Sequence, residues 1–109
     1  MYIVESIWRE YLDNNFDLFK IIGLNFINDY KALKDNLNSY IANNDIDKIH
    51  SILHDLKGIV LNLGMKELSL SVEEALTYIR KDIINKEVLN NLIYVFNKSY
   101  NELELLLKK

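Results

Sequence analysis

The sequence predicts an all-α protein: an antiparallel up-down-up-down four-helix bundle with a short additional N-terminal helix. The 109 residues include no Pro and only three Gly, so long helices meet few breakers. Apolar residues recur at three- and four-residue spacing, and the connections between these segments are short and polar. A chain of this length is expected to form one domain, residues 1–109.

The first two predicted helices cover residues 3–12 and 16–42. The polar cluster 13–15 between them suits a turn and a new N-cap. The second helix is expected to be the longest element. The residues expected to face inward are Ile3, Ile7, Trp8 and Tyr11 in the first helix and Phe19, Ile22, Phe26, Tyr30, Leu33, Leu37 and Tyr40 in the second.

Three further helices are predicted at residues 46–63, 66–80 and 86–107. Asp45 and Asn85 are candidate N-caps, and Gly64 stands where a C′ glycine belongs. Short connections imply antiparallel neighbours, with the first helix as a lid. The inward positions expected in the last two helices are Leu68, Val72, Ala75, Ile79, Leu89, Leu92, Val95, Phe96, Tyr100 and Leu103.

Composition and charge exclude several classes of function. The formal net charge is −3 with acids and bases interspersed, so no basic stripe favours a nucleic-acid partner. The absence of Cys excludes disulfides, thiolate metal sites and a cysteine nucleophile. The apolar stretch 21–27 is too short to span a bilayer, and no membrane partner is expected. We expect a soluble, cytoplasmic protein.

The most informative segment is His54-Asp55-Leu56-Lys57-Gly58, followed by Asn62-Leu63-Gly64. At about 100° per residue, His54 lies opposite the apolar stripe of its helix and faces solvent. Gly58, Lys57, His50 and Leu61 lie within about 60° of it. The stripe itself comprises Ile49, Ile52, Leu53, Leu56, Ile59, Val60 and Leu63.

Gly58 and Lys57 indicate why this histidine is exposed. Gly in a helix interior costs about 1 kcal/mol relative to Ala, a loss that calls for a reason. Its missing side chain leaves room for a partner beside His54, and the ammonium of Lys57 can neutralise an anion on the ring. Together the three residues suggest a phosphohistidine site.

The run HDLKGIVLNLG resembles the signature of histidine-containing phosphotransfer (HPt) domains, His-x-Leu-Lys-Gly followed by a segment ending near Asn-Leu-Gly. Residues 26–30 resemble the family's preceding helix and residues 64–68 the start of its following one. The resemblance implies that His54 is the phosphoacceptor, Lys57 the phosphate-stabilising cation and Gly58 the residue that keeps the ring accessible. Small residues are usual in the family where this chain has Ile59, Val60 and Leu61.

The function that this resemblance implies is that of a phosphorelay intermediate. The protein would accept a phosphoryl group from an aspartyl-phosphate receiver domain, of a response regulator or a hybrid histidine kinase, and pass it to another receiver. The chain has no glycine-rich nucleotide loop and no clear Mg²⁺ cluster, so it is expected to need no cofactor and not to be an enzyme in its own right. The expected docking residues are His50, Gly58, Leu61 and Met65, the last two as exposed apolar groups.

Three other interpretations remain open. His50 and His54 have the i, i+4 spacing of metal ligands, with Asp47 one turn earlier, but two imidazoles and one Asp make an incomplete site next to the positive Lys57. We therefore predict no metal. A non-catalytic helical adaptor or dimerisation module is the main alternative. A phosphoacceptor fed directly by a kinase is the third, against which the shortness of the chain argues.

Overall fold

Helices account for all the regular structure that the computed structural model contains. It describes residues 1–108, which include no strand, and the predicted all-α class is therefore confirmed. A 3₁₀ turn at Val60–Leu63 follows the fourth helix directly. The six α-helices of residues 1–108 are α1 (Glu5–Tyr11), α2 (Phe16–Tyr30), α3 (Leu33–Ala42), α4 (Ile46–Ile59), α5 (Lys66–Ile79) and α6 (Lys86–Leu107).

Three of the helices begin at caps that the sequence predicts. The side-chain oxygens of Asn15, Asp45 and Asn85 each accept a hydrogen bond from the backbone N–H three residues later, at 2.9, 3.2 and 3.1 Å. Each bond satisfies a donor that the first turn of a helix leaves unpaired, and a cap of this kind contributes about 1 kcal/mol. These caps fix where α2, α4 and α6 start.

The prediction of one continuous helix over residues 16–42 is wrong, because the helix is interrupted between Tyr30 and Leu33. No Pro or Gly marks the interruption, and the apolar spacing continues through it in phase. The interruption lets α2 pack against α6 while α3 packs against α4 and α6. The longest element is consequently α6, with 22 residues.

The N-terminal segment is held by backbone contacts that shorten α1 relative to the predicted residues 3–12. The Glu102 carboxylate accepts hydrogen bonds from the backbone N–H groups of Tyr2 and Ile3, at 3.0 and 2.6 Å. The Val4 N–H donates to the Gly64 carbonyl at 2.8 Å. These bonds keep residues 2–4 outside the helix, which therefore starts at Glu5.

The core lies where α2, α4, α5 and α6 meet, with α1 packed on the 3₁₀ turn. All the inward positions predicted for α5 and α6 are buried except Tyr100, which is half-buried and donates its hydroxyl to the Ile27 carbonyl at 2.9 Å. Tyr11 is 55% exposed, so its predicted burial is wrong: the short α1 turns only the Trp8 side inward. None of the helices among residues 1–108 is both long and apolar enough to cross a lipid bilayer.

The chain reverses at Gly64, immediately after the 3₁₀ turn. Its φ is +73°, in the left-handed region that favours glycine, as expected for a C′ residue. A Cβ added there would lie 2.5 Å from the Val4 carbonyl oxygen. Both the backbone conformation and the contact with the N-terminal segment therefore require a residue without a side chain.

Replacing Gly64 with Ala is expected to lower the free energy of unfolding by about 1 to 3 kcal/mol, the scale of a strained left-handed residue. The Val4 carbonyl must also shift to admit the new methyl group. Urea denaturation monitored by circular dichroism measures the change. A Gly64→Ala protein with the wild-type midpoint would contradict this account of the turn.

Candidate functional site

Helix α4 carries the candidate histidine on the face opposite the core. Ile49, Leu53 and Leu56 are fully buried along one side of α4. His54 and His50 are both exposed on the other side, one turn apart. The prediction that His54 faces solvent is confirmed, because the helix keeps its 3.6-residue period from Asp45 to Ile59.

The space beside His54 is open at Gly58. A Cβ built on this glycine would meet no atom within 4 Å, leaving out its chain neighbours and the helix's own backbone. Gly23 in α2 differs, because its Cβ would lie 3.2 Å from a Leu107 methyl carbon. Close packing therefore explains Gly23, whereas no packing contact explains Gly58.

The cation next to His54 has a partner that sequence reasoning missed. The Nζ atom of Lys57 lies 3.2 Å from Oε1 of Glu73 in α5. The two side chains are 45% and 44% exposed, so water reaches both members of the pair. The sixteen-residue separation of Lys57 and Glu73 along the chain leaves no periodic signal from which this contact could be predicted.

Met65 does not belong to the surface around His54, and its prediction as an exposed docking residue is wrong. The α-helical turns end at Ile59, and the left-handed Gly64 then redirects the chain. Met65 consequently points into the core with 0% exposure. Leu61, in the 3₁₀ turn, is half-buried and not the exposed apolar group expected.

A groove of about 320 Å³ that the sequence pattern does not predict lies along α2 and the C-terminal end of α4. Burial raises the pKa of the Tyr30 hydroxyl, and the carboxylates of Asp55 and Asp29 raise that pKa further. Tyr30 therefore stays protonated, with acidic groups from α4 and α2 close by. The groove is lined by Ile22, Asn25, Phe26, Asp29, Tyr30 and Ile59.

The hypothetical metal ligands Asp47, His50 and His54 are all exposed. Within residues 1–108, no group of three or more His, Asp or Glu side chains is arranged to hold a metal ion. The arrangement around His54 instead combines an accessible imidazole, an open position and one cation. That combination suits the reversible attachment of an anionic group to the ring.

Comparison of the chain with protein-family models, curated proteins and solved structures finds no match in any of the three.

Proposed function

We propose that the protein is a phosphorelay intermediate of the HPt type, which accepts a phosphoryl group on His54 from an aspartyl-phosphate receiver domain and returns it to another receiver. The main support is the exposed imidazole beside Gly58, where an added Cβ would meet no neighbouring atom within 4 Å. Gly58 lowers the helix propensity of α4, and no packing contact explains why a glycine stands there. A residue without a side chain is expected at this position if a partner's active site must approach His54.

The proposal includes an up-down-up-down four-helix bundle, made by α2 with α3, then α4, α5 and α6, with α1 as a lid. Short connections and the packing of α4 on α5 and α5 on α6 support this topology. In such a bundle, one long face of α4 stays open to a partner. His54 lies on the exposed face of α4.

The covalent change in the transfer involves only the imidazole and the receiver's aspartyl phosphate. A neutral imidazole has a lone pair on one nitrogen, which the HPt resemblance implies is Nε2. As Nε2 attacks, the N–P bond forms and the bond from phosphorus to the aspartyl oxygen breaks, its electron pair leaving on the carboxylate. In the second transfer the N–P bond breaks, its electrons return to Nε2, and an aspartate oxygen of the recipient bonds to phosphorus.

The work is divided between the two partners. Phosphoryl transfer passes through a loose transition state, so positioning and charge stabilisation contribute most of the rate. This chain contributes the nucleophile His54 and the cation Lys57, three residues apart and therefore neighbours on the helix surface. The receiver contributes the acidic pocket and its metal ion.

Replacing Lys57 with Ala is expected to slow phosphoryl acceptance without abolishing it, because the nucleophile remains. A hydrogen bond to a charged group contributes about 1.5 to 3 kcal/mol, and solvent exposure reduces this to about 1 kcal/mol, or roughly fivefold in rate. The rate of label transfer from a phosphorylated receiver measures the effect at low and high salt. The loss should shrink as salt rises; an unchanged rate at low salt would refute the role of Lys57.

The deciding experiment incubates the protein with a receiver domain phosphorylated on its aspartate. We expect label on this chain that is labile in acid and stable in base, as phosphohistidine is. A chain that takes no label from any receiver tested, or from the small-molecule donor phosphoramidate, would contradict the proposal.

A helical adaptor or dimerisation module is the second candidate, favoured by apolar residues on the outer face of α2. Leu18, Ile21 and Leu24 are exposed there, although α2 packs against α6 on its other side. Sedimentation with Ile21→Glu as a comparison tests whether this face joins two copies. The adaptor function predicts no phosphohistidine, so the labelling experiment separates the two candidates.

A further inference from the structure

The Lys57–Glu73 contact is unusual among the ion pairs of residues 1–108 because it joins two α-helices. The other two, Arg9–Glu5 and Lys48–Asp45, link residues three or four positions apart. Those short-range pairs follow from helix geometry alone. The pair between α4 and α5 instead depends on how the two helices pack, and it involves the cation next to the candidate phosphoacceptor.

Lys57 lies three residues after His54 on α4, and its side chain contacts Glu73 in α5. Residues three apart on a helix have Cβ atoms about 5 to 6 Å apart, so the Lys57 side chain can reach a group attached to His54. In the structure its Nζ is turned to the Glu73 carboxylate, at 3.2 Å. The cation that would stabilise a phosphoryl group is therefore already engaged by an anion.

We propose that Glu73 is a positioning residue that competes with the phosphoryl group on His54 for the Lys57 ammonium, and so favours release of that group to a receiver. This inference rests on the proposed function. The exchange is ionic: Lys57 leaves the Glu73 carboxylate for the phosphoryl oxygens, and the only covalent bonds that change are the N–P and P–O bonds described above.

The exposure of the pair sets the size of the effect. An ion pair accessible to water is a weak contact, so losing it changes an equilibrium by about fivefold at most. A phosphoryl group carries about two negative charges and three acceptor oxygens, and it therefore outcompetes a single carboxylate. Glu73 tunes the occupancy of His54 without preventing phosphorylation.

The test measures how label is shared at equilibrium between this protein and a receiver domain. Glu73→Gln removes the charge and keeps the shape, and it should shift the equilibrium about two- to fivefold toward phosphorylated His54. Glu74→Gln is the matched control: it makes the same change of charge one position along α5, at an exposed residue that forms no ion pair within residues 1–108. This control should leave the equilibrium unchanged.

A double-mutant cycle identifies the route of the effect. In the Lys57→Ala background, Glu73→Gln should no longer shift the equilibrium, because no cation remains to be released. If Glu73→Gln causes the full shift even without Lys57, Glu73 does not act through Lys57. If Glu73→Gln alone, with Lys57 present, shifts the label toward the receiver, Glu73 assists the cation and does not compete for it. Either result overturns the competition.

A second readout requires no receiver. Phosphoramidate can label His54 directly, and the NMR chemical shifts of the Lys57 side chain then report its partner before and after labelling. We expect the Lys57 signals to move on labelling and on Glu73→Gln. If labelling leaves the Lys57 signals unmoved, the inference alone is overturned. If the wild-type protein takes no label from a phosphorylated receiver or from phosphoramidate, the proposed function is overturned and the inference with it.

Discussion

Replacing His54 with Gln is expected to abolish phosphoryl acceptance while leaving the fold intact. His54 is exposed on α4, opposite the fully buried Ile49, Leu53 and Leu56, so its ring contributes little burial. A surface substitution of this kind changes the free energy of unfolding by about 0.5 kcal/mol or less. The glutamine side chain has no nucleophilic nitrogen, and the label from a phosphorylated receiver should fall to background.

The neighbouring histidine is the internal control for this result. His50 is also exposed and lies one turn earlier on nearly the same face of α4. His50→Gln should retain most of the label, because Lys57 and Gly58 lie one turn from His54 but two turns from His50. Label remaining on His54→Gln, or lost from His50→Gln alone, would assign the acceptor differently.

The placement of His54 was predictable because it depends on local periodicity. The apolar spacing from Ile49 to Leu56 fixes which face of α4 is buried, and Asp45 fixes where the helix begins. Both signals act within one helix, where each residue's direction follows from its position. The openness beside Gly58 follows from the same reasoning.

The error at Met65 arose where this local period ends. Gly64 is a C′ residue, as the sequence predicts, and its left-handed conformation stops the helical pattern. Residues after Gly64 no longer follow the phase of α4. On an uninterrupted helix Met65 would lie on the same face as His54, but in the structure it is buried in the core. The interruption after Tyr30 was missed for the opposite reason, because the apolar phase runs through it unchanged.

Contacts between residues that are far apart along the chain could not be predicted from the sequence. Glu73 lies in a predicted helix at a position not assigned to its inward face, and nothing local indicates that it meets Lys57. The Glu102 carboxylate likewise accepts backbone hydrogen bonds from residues about 100 positions earlier. Such pairs depend on how helices pack, which amphipathic spacing restricts but does not specify.

Replacing Gly58 with a larger residue is expected to separate stability from function. A side chain at this position enters open space, since its Cβ would meet no atom within 4 Å outside its own stretch of helix. Gly58→Gln and Gly58→Glu should therefore keep or raise the melting temperature, because Gly disfavours helix by about 0.5 to 1 kcal/mol relative to Ala. Gly58→Ala is the control for the propensity gain alone.

The same substitutions should impair transfer, because the added atoms occupy the space through which a receiver reaches His54. Gly58→Glu should cause the greater loss, on the order of a hundredfold, since a like charge facing the receiver's acidic pocket costs several kcal/mol. If the protein is instead an adaptor that never carries phosphate, the Gly58 substitutions should raise its stability without impairing any function at His54. A Gly58→Gln protein that melts below the wild type yet accepts phosphoryl groups at the wild-type rate would show that the docking surface lies on another face of α4.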